Sequence, residues 1–180
     1  MSNRIPRRTL LAGLSAVALA APSLVRAEVT RNTASFTRQR WQDHFDTLGK
    51  GAILANTNER ILHYWNATDT DYRVYPTSVP LSDELTKRGY TEITRKRVGP
   101  DWTPTQSQRE RFGWDYMPPG PDNPLGTHAM YLSWPAYLIH GTHDTRKIGR
   151  PSSDGCIGLF NPQIEELFAL TEVGTQVRVL

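Results

Sequence analysis

One cysteine, Cys156, stands alone in 180 residues. A single thiol cannot close an internal disulfide, so the fold must be held by its core rather than by covalent staples. Internal repeats are absent, and so is any low-complexity tract beyond the first 27 residues, which excludes solenoids and repeat arrays. Long apolar runs are missing as well. The one Ala- and Leu-rich stretch, Thr9 to Val25, is short and carries Pro22 near its end, which suits a bilayer span poorly. An excess of charge of one sign is also lacking. The chain has 21 basic and 18 acidic residues, net +3, but residues 1–27 contain four arginines and no acids. Taking those four from 21 leaves 17 basic against 18 acidic residues, net −1. The basic isoelectric point therefore belongs to the N-terminus, and no nucleic-acid partner is expected.

The N-terminus carries a positive signal. The stretch MSNRIPRRTLLAGLSAVALAAPSLVRAEV joins a basic region with Arg4, Arg7 and Arg8 to the apolar stretch and closes on Val25-Arg26-Ala27, a small-x-small cleavage pattern. It reads as an export signal over residues 1–27. Arg7-Arg8-Thr9-Leu10-Leu11 resembles the twin-arginine signature. No cysteine follows the apolar run, so no lipoprotein anchor is expected. The mature chain is expected to have no transmembrane segment and to work in the periplasm. A spare exposed thiol is a liability in an oxidising compartment, so Cys156 is either buried and inert or kept for chemistry.

What remains is enough for one domain with a real core. Trp41, Phe45 and Leu48 recur at helical spacing, which predicts a short helix within an N-terminal segment, residues 28–50. The runs Gly51–Asn56 and Arg60–Trp65 flank Thr57-Asn58-Glu59 and predict a hairpin. Tyr72–Tyr75 and Tyr90–Val98 alternate as strands do, and Arg95-Lys96-Arg97 reads as a solvated stretch. Residues 99–126 hold six of the 13 prolines and read as one long loop, a length often tied to function. Met130–Ile139 predicts a bent or paired strand, broken at Pro135 and ending at His140. Asn161 is a good N-cap and Pro162 suits the first turn, so a helix is expected there, with Ile164, Leu167 and Phe168 inward. Gln176–Leu180 closes the chain as a strand. Many short strands and few helices predict a mainly β domain over residues 51–180.

Chemistry gathers around the thiol. A thiolate is a strong nucleophile, and a nearby imidazole can take the thiol proton. His140 ends an apolar strand sixteen residues before Cys156. Ser153-Asp154-Gly155-Cys156-Ile157-Gly158 is a small-residue turn whose glycines let the backbone approach a substrate and leave amides free for an oxyanion. By spacing alone this describes a cysteine acyl-transfer site of moderate specificity.

"IHGT" at 139–142, "IG" at 148–149 and "SDGCIGL" at 153–159 together resemble the signature of the L,D-transpeptidase catalytic domain, also called YkuD-like. "PPGPDNPLG" at 118–126 and "VGTQVRVL" at 173–180 are similar to that family too. The resemblance implies a YkuD-like β-sandwich with the cysteine in a cleft. It implies Cys156 as nucleophile, His140 as general base, the Gly141 carbonyl orienting His140, and amides near Gly155 and Cys156 facing the oxyanion. Ser153, Thr142 and Asp154 border the substrate. No metal or organic cofactor is implied. The implied partners are peptidoglycan stem peptides: the thiol attacks the carbonyl of the third residue and expels the terminal D-alanine. An amine of another stem, or a lysine of an outer-membrane lipoprotein or other protein, then takes the acyl group. Acylation by carbapenems is implied as well.

Two positions depart from the family's commonest pattern. Asp154 stands where histidine is usual, and Gly158 where arginine is usual. The segment LSDELTKRGY at 81–90 replaces a usual Thr-Pro-x-Gly. An unpaired carboxylate beside Cys156 would raise the thiol pKa, so Asp154 is expected to turn outward toward Arg146, Lys147 or Arg150. His140 and His143 are three apart, but on a loop rather than a helix, which argues against zinc. Trp102, Trp114, Tyr116 and Trp134 line a glycan or peptide groove on one reading and pack as ordinary core and loop residues on the other. Two rival functions share the residues: a hydrolase working through the same acyl-enzyme, and a weakly catalytic peptidoglycan-binding module.

Overall fold

The computed structural model describes residues 37–180; the expected export signal at 1–27 and residues 28–36 lie outside the described residues. The apolar runs around Thr57-Asn58-Glu59 form β1 (Ala52–Asn56) and β2 (Ile61–Trp65), an antiparallel hairpin with Asn56 opposite Ile61. The Asn56 carboxamide oxygen closes the turn by accepting from the backbone N–H groups of Asn58 and Glu59, each at 3.1 Å. Then follow β3 (Tyr72–Pro76), the two-residue β4 (Val79–Pro80) and the ten-residue β5 (Gly89–Val98). Helix α1 (Gln106–Phe112) precedes β6 (His128–Leu132), β7 (Leu138–His140), β8 (Pro151–Ser153) and β9 (Ile157–Gly158). Helix α2 (Asn161–Leu170) and β10 (Gln176–Val179) end the chain.

Eight strands form one sheet in the order β3-β2-β1-β10-β5-β6-β7-β9, and β4 pairs with β8 beside it. The length of β5 lets it serve two partners. Its first residues pair with β10, its later ones with β6, and the register shifts between Ile93 and Arg95. Such an irregularity bends a strand. Ile53, Leu62, Tyr64 and Val177 from one half of the sheet share a core with Met130, Ile139 and Ile157 from the other, together with Ile164 and Leu167 of α2. The sheet therefore folds over its own core, and the fold is mainly β.

Four local expectations are corrected. Residues 41–48 form a 3₁₀ turn at Trp41–Asp43 rather than a helix. Phe45 and Leu48 are buried against Ala52, Leu54 and Trp65. The carbonyls a helix would use are claimed by strand side chains: Tyr90 Oη donates to His44 O at 2.8 Å, and Gln176 Nε2 donates to Thr47 O. The stretch 99–126 is not all loop, because it contains α1. Asn161 does not cap its helix; the cap position is Phe160, with no side-chain bond. Lys96 is not simply solvated. It reaches the C-terminus of α2, donates to the carbonyls of Phe168 and Thr171, and lies 4.2 Å from the Phe168 ring centroid. A cation suits that helix end. The Met130–Ile139 stretch is a paired strand, β6 turning back into β7 through residues 133–137.

Candidate active site

Parallel pairing of β7 with β9 sets His140 opposite Gly158. Cys156 directly precedes β9, two residues before Gly158, so the pairing brings its turn up to the strand that ends at His140. Gly158 has no side chain to stand between them: a Cβ there would be 3.9 Å from His140 Cε1 and would collide with the Ser78 hydroxyl. Ser78 is buried and bridges Gly158 through the backbone in both directions, at 2.8 and 3.2 Å. Arginine at 158, usual in the resembled family, is thus excluded by packing.

The imidazole is fixed by one bond. His140 Nδ1–H donates to the Gly141 carbonyl, which places the free lone pair on Nε2. The Gly141 carbonyl in turn depends on Asn161. Asn161 Oδ1 accepts from Thr142 N–H at 3.1 Å and Thr127 N–H at 3.3 Å, stitching the loop after β7 to the loop before β6. Cβ atoms at Gly141 or Gly126 would collide with that oxygen, and Gly126 has φ +64° besides. Asn161 is a site-building residue that the sequence reading assigned to helix capping. Its signal was its company: two glycines that leave room for a side chain cannot be recognised until the loops are folded.

The thiol is at rest. Cys156 Sγ is half-buried and donates to the Ala136 carbonyl at 3.7 Å, not to His140. Ala136 lies in the β6–β7 turn with φ +56°, uncommon for a residue with a Cβ. Loss of hydration pushes the Cys156 thiol up to about 11; the Asp154 carboxylate pushes the same way, and the Leu138 amide partly opposes both. Burial lowers His140 to about 4, against the stabilising Gly141 carbonyl, and Lys147 lowers it further. At neutral pH the pair is a thiol and a neutral imidazole, not an ion pair. A general base must be unprotonated to act, and the pair meets that condition. Hydrogen bonds of this kind are often long in a free enzyme and tighten around substrate.

Ser153 locks the turn: its hydroxyl donates to Cys156 O at 2.6 Å and accepts from Gly155 N–H at 3.4 Å. Among the described residues the Cys156 N–H has no hydrogen-bond acceptor, while the Gly155 amide is engaged by Ser153. Gly155 has φ +135°, and the Tyr137 ring lies 3.5 Å from where its Cβ would be. Thr142, expected to border the substrate, is buried, and its hydroxyl accepts from Asp144 N–H at 3.1 Å within its own turn.

Asp154 does not make the expected pairing with the cations of its own loop. Its Oδ2 accepts from Gln108 Nε2 of α1 at 3.1 Å. Arg146 is taken by Asp144, with Nε–Oδ1 at 2.8 Å. His143 is exposed, and no group of three or more metal-ligating side chains exists among the described residues. Two concavities, one lined by Phe45, Tyr90 and Gln176 and the other by Arg60, Leu81 and Arg88, include neither Cys156 nor His140.

The L,D-transpeptidase catalytic domain family matches residues 50–179. The chain is 62% identical over 175 residues to a putative L,D-transpeptidase encoded in the ATP synthase subunits region of Fuscovulum blasticum, covering 94% of this chain and 93% of that one. It is 36% identical over 142 residues to the probable L,D-transpeptidase ErfK/SrfK of Escherichia coli, covering 75% of this chain but only 45% of the relative. Among solved structures, L,D-transpeptidase 3 from Mycobacterium tuberculosis in complex with a faropenem-derived adduct superposes with a TM-score of 0.58 at 14% identity, over 72% of this chain and 60% of that one. That last likeness concerns the fold.

Proposed function

The chain belongs to the L,D-transpeptidase catalytic domain family, and from that premise we propose that it is an exported cysteine acyltransferase acting on peptidoglycan stem peptides. One observation supports the reading: β7 pairs with β9 so that His140 stands opposite Gly158, two residues after Cys156, with its Nδ1–H held by the Gly141 carbonyl. Cys156 Sγ attacks the carbonyl of the third stem residue while its proton passes to His140 Nε2. The oxyanion meets the free Cys156 N–H. The C–N bond to the terminal D-alanine then breaks, His140 returns the proton to the departing amine, and a thioester remains. An amine of a second stem, or a protein lysine, attacks the thioester and restores the thiol. Because the resting thiol is protonated, His140 removes its proton during attack rather than beforehand.

Incubation of the mature protein with muropeptides, followed by mass analysis, tests the reading. A crosslinked dimer with loss of D-alanine is the expected product. A shortened monomer alone identifies a hydrolase, with water as acceptor, and an unchanged muropeptide identifies a binding module. A penem or carbapenem is expected to acylate Cys156. Residues 1–27 are proposed to direct twin-arginine export to the periplasm, and replacing Arg7 and Arg8 by lysine is expected to leave precursor inside the cell.

A further inference from the structure

The stretch between β5 and β6 contains a built arm that the reaction does not use. Its two ends are zipped: Trp102 and Met117 exchange both backbone hydrogen bonds at 2.9 Å. Asn123 Nδ2 braces the base from the carbonyls of Pro100, Met117 and Pro118, at 3.0, 3.2 and 3.0 Å. Within the arm, α1 opens on a capping box in which Thr105 Oγ1 accepts from Gln108 N–H and Gln108 Oε1 accepts from Thr105 N–H. Gly113, with φ +67°, stops it. No residue of α1 is buried. A segment fixed this carefully and contributing nothing to the main core is held in place for what it presents.

It presents aromatic rings. Phe112 stacks on Trp114 with centroids 4.4 Å apart, and Trp114 meets Trp102 edge-on at 5.5 Å. Phe112, Trp114 and Tyr116 are 44, 43 and 52% exposed. The Arg111 guanidinium lies 4.7 Å from the Phe112 ring centroid. The platform is continuous with the nucleophile in two ways. Trp102 packs against the same small cluster as Cys156. Gln108, the capping-box partner of Thr105, holds the side chain of Asp154, two residues before Cys156.

We propose that this arm is a saccharide subsite, where Trp114 and Tyr116 stack on amino-sugar rings of the glycan strand that carries the donor stem. The inference rests on the stem peptide being the acyl donor. Geometry sets the reach. Three extended residues separate the reacting carbonyl from the glycan, roughly 10 Å of chain. From Trp102, which packs on the same small cluster as Cys156, ring-to-ring steps of 5.5 Å to Trp114 and 4.4 Å on to Phe112 give the platform a similar extent. The chemistry fits: pyranose rings offer flat C–H faces to aromatic faces and hydroxyl and amide groups to guanidinium donors. Gln108 becomes a positioning residue that ties this platform to the turn of the nucleophile.

The test compares two donors on the mature protein, the free tetrapeptide and the same tetrapeptide carrying its N-acetylated disaccharide, with D-alanine release as readout. The wild type is expected to favour the disaccharide form in kcat/KM by about tenfold, in line with the usual worth of ring stacking. Trp114→Ala and Tyr116→Ala are expected to bring that ratio toward one. Circular dichroism checks that both variants fold, and the ratio within each variant is independent of its total activity. A wild-type ratio near one overturns the subsite, and so does a high ratio that neither variant lowers. Binding to anionic phospholipid vesicles that Trp114→Ala abolishes, with the donor ratio unchanged, assigns the platform to lipid and overturns it too. Release of D-alanine from neither donor refutes the acyl-transfer reading itself, a result distinct from the other three.

Discussion

Burial acts on both candidate catalytic groups: the Cys156 thiol is pushed up to about 11 and the His140 imidazole is lowered to about 4. Thiolate is therefore scarce in the free enzyme at neutral pH. Alkylation by iodoacetamide, which reads thiolate, is expected to be slow at pH 7 and to rise steadily beyond pH 9. A plateau already reached near pH 5 would instead reveal a preformed thiolate–imidazolium pair. Asp154 contributes to the raised thiol, so Asp154→Asn is expected to speed alkylation at pH 8 severalfold while keeping an acceptor for Gln108. An unchanged rate would show that the carboxylate is too well screened to act on Sγ. The candidate nucleophile and base could be named from the chain, because a lone cysteine between glycines and a histidine at a strand end are local features. The partner of Asp154 was not. The nearby cations of its loop made a sensible guess, but Arg146 is satisfied by Asp144, and Gln108 arrives from 46 residues away.

Elements were readable where period and turn chemistry agreed. The β1–β2 hairpin, β3, β5 and β10 follow from alternation and turn residues, and α2 from Pro162 in its first turn and its apolar spacing. Helix α1 was hidden by the prolines of the stretch around it, although Thr105-x-x-Gln108 followed by Gly113 is a legible start and stop. The N-terminal helix was over-read because Trp41, Phe45 and Leu48 face one apolar patch without needing helical hydrogen bonds. Asn161 shows the deeper limit. Its side chain binds two loops whose meeting depends on the whole sheet. Asn161→Ala leaves the N–H groups of Thr127 and Thr142 without their acceptor, at a cost of roughly 2–4 kcal/mol in unfolding free energy. It should also release the Gly141 carbonyl that orients His140. Urea denaturation and turnover are expected to fall together; loss of stability with full turnover would separate Asn161 from the base.

Across the whole molecule the half-sheet of β1, β2 and β3 buries a second histidine away from the site. His63 is wholly buried, donates or accepts through Nδ1 with Tyr72 Oη at 2.8 Å, and leaves Nε2 without a partner. Burial lowers it to about 4, and the charge of His44 lowers it further. The folded-state value lies below the ordinary 6.5, so protons bind the unfolded chain first. Stability is fully present above pH 6.5 and is lost as pH falls from there toward 4, with His140 adding in the same direction. The melting temperature is expected to drop by several degrees between pH 7 and pH 4.5, and less steeply in His63→Gln. An equally steep drop in that variant would place the proton uptake elsewhere.

The acyl-enzyme is the central claim, and intact-protein mass spectrometry reads it directly. The mature protein is mixed with a stem tetrapeptide in the absence of an amine acceptor and quenched in acid. The expected spectrum shows the protein plus the tetrapeptide less its terminal D-alanine. Peptide mapping should place the addition on Cys156, and it should be missing in Cys156→Ala. His140→Ala is expected to form it roughly 10²- to 10⁴-fold more slowly. D-Alanine release that persists in Cys156→Ala, or an adduct mapped to any other residue, would contradict the account.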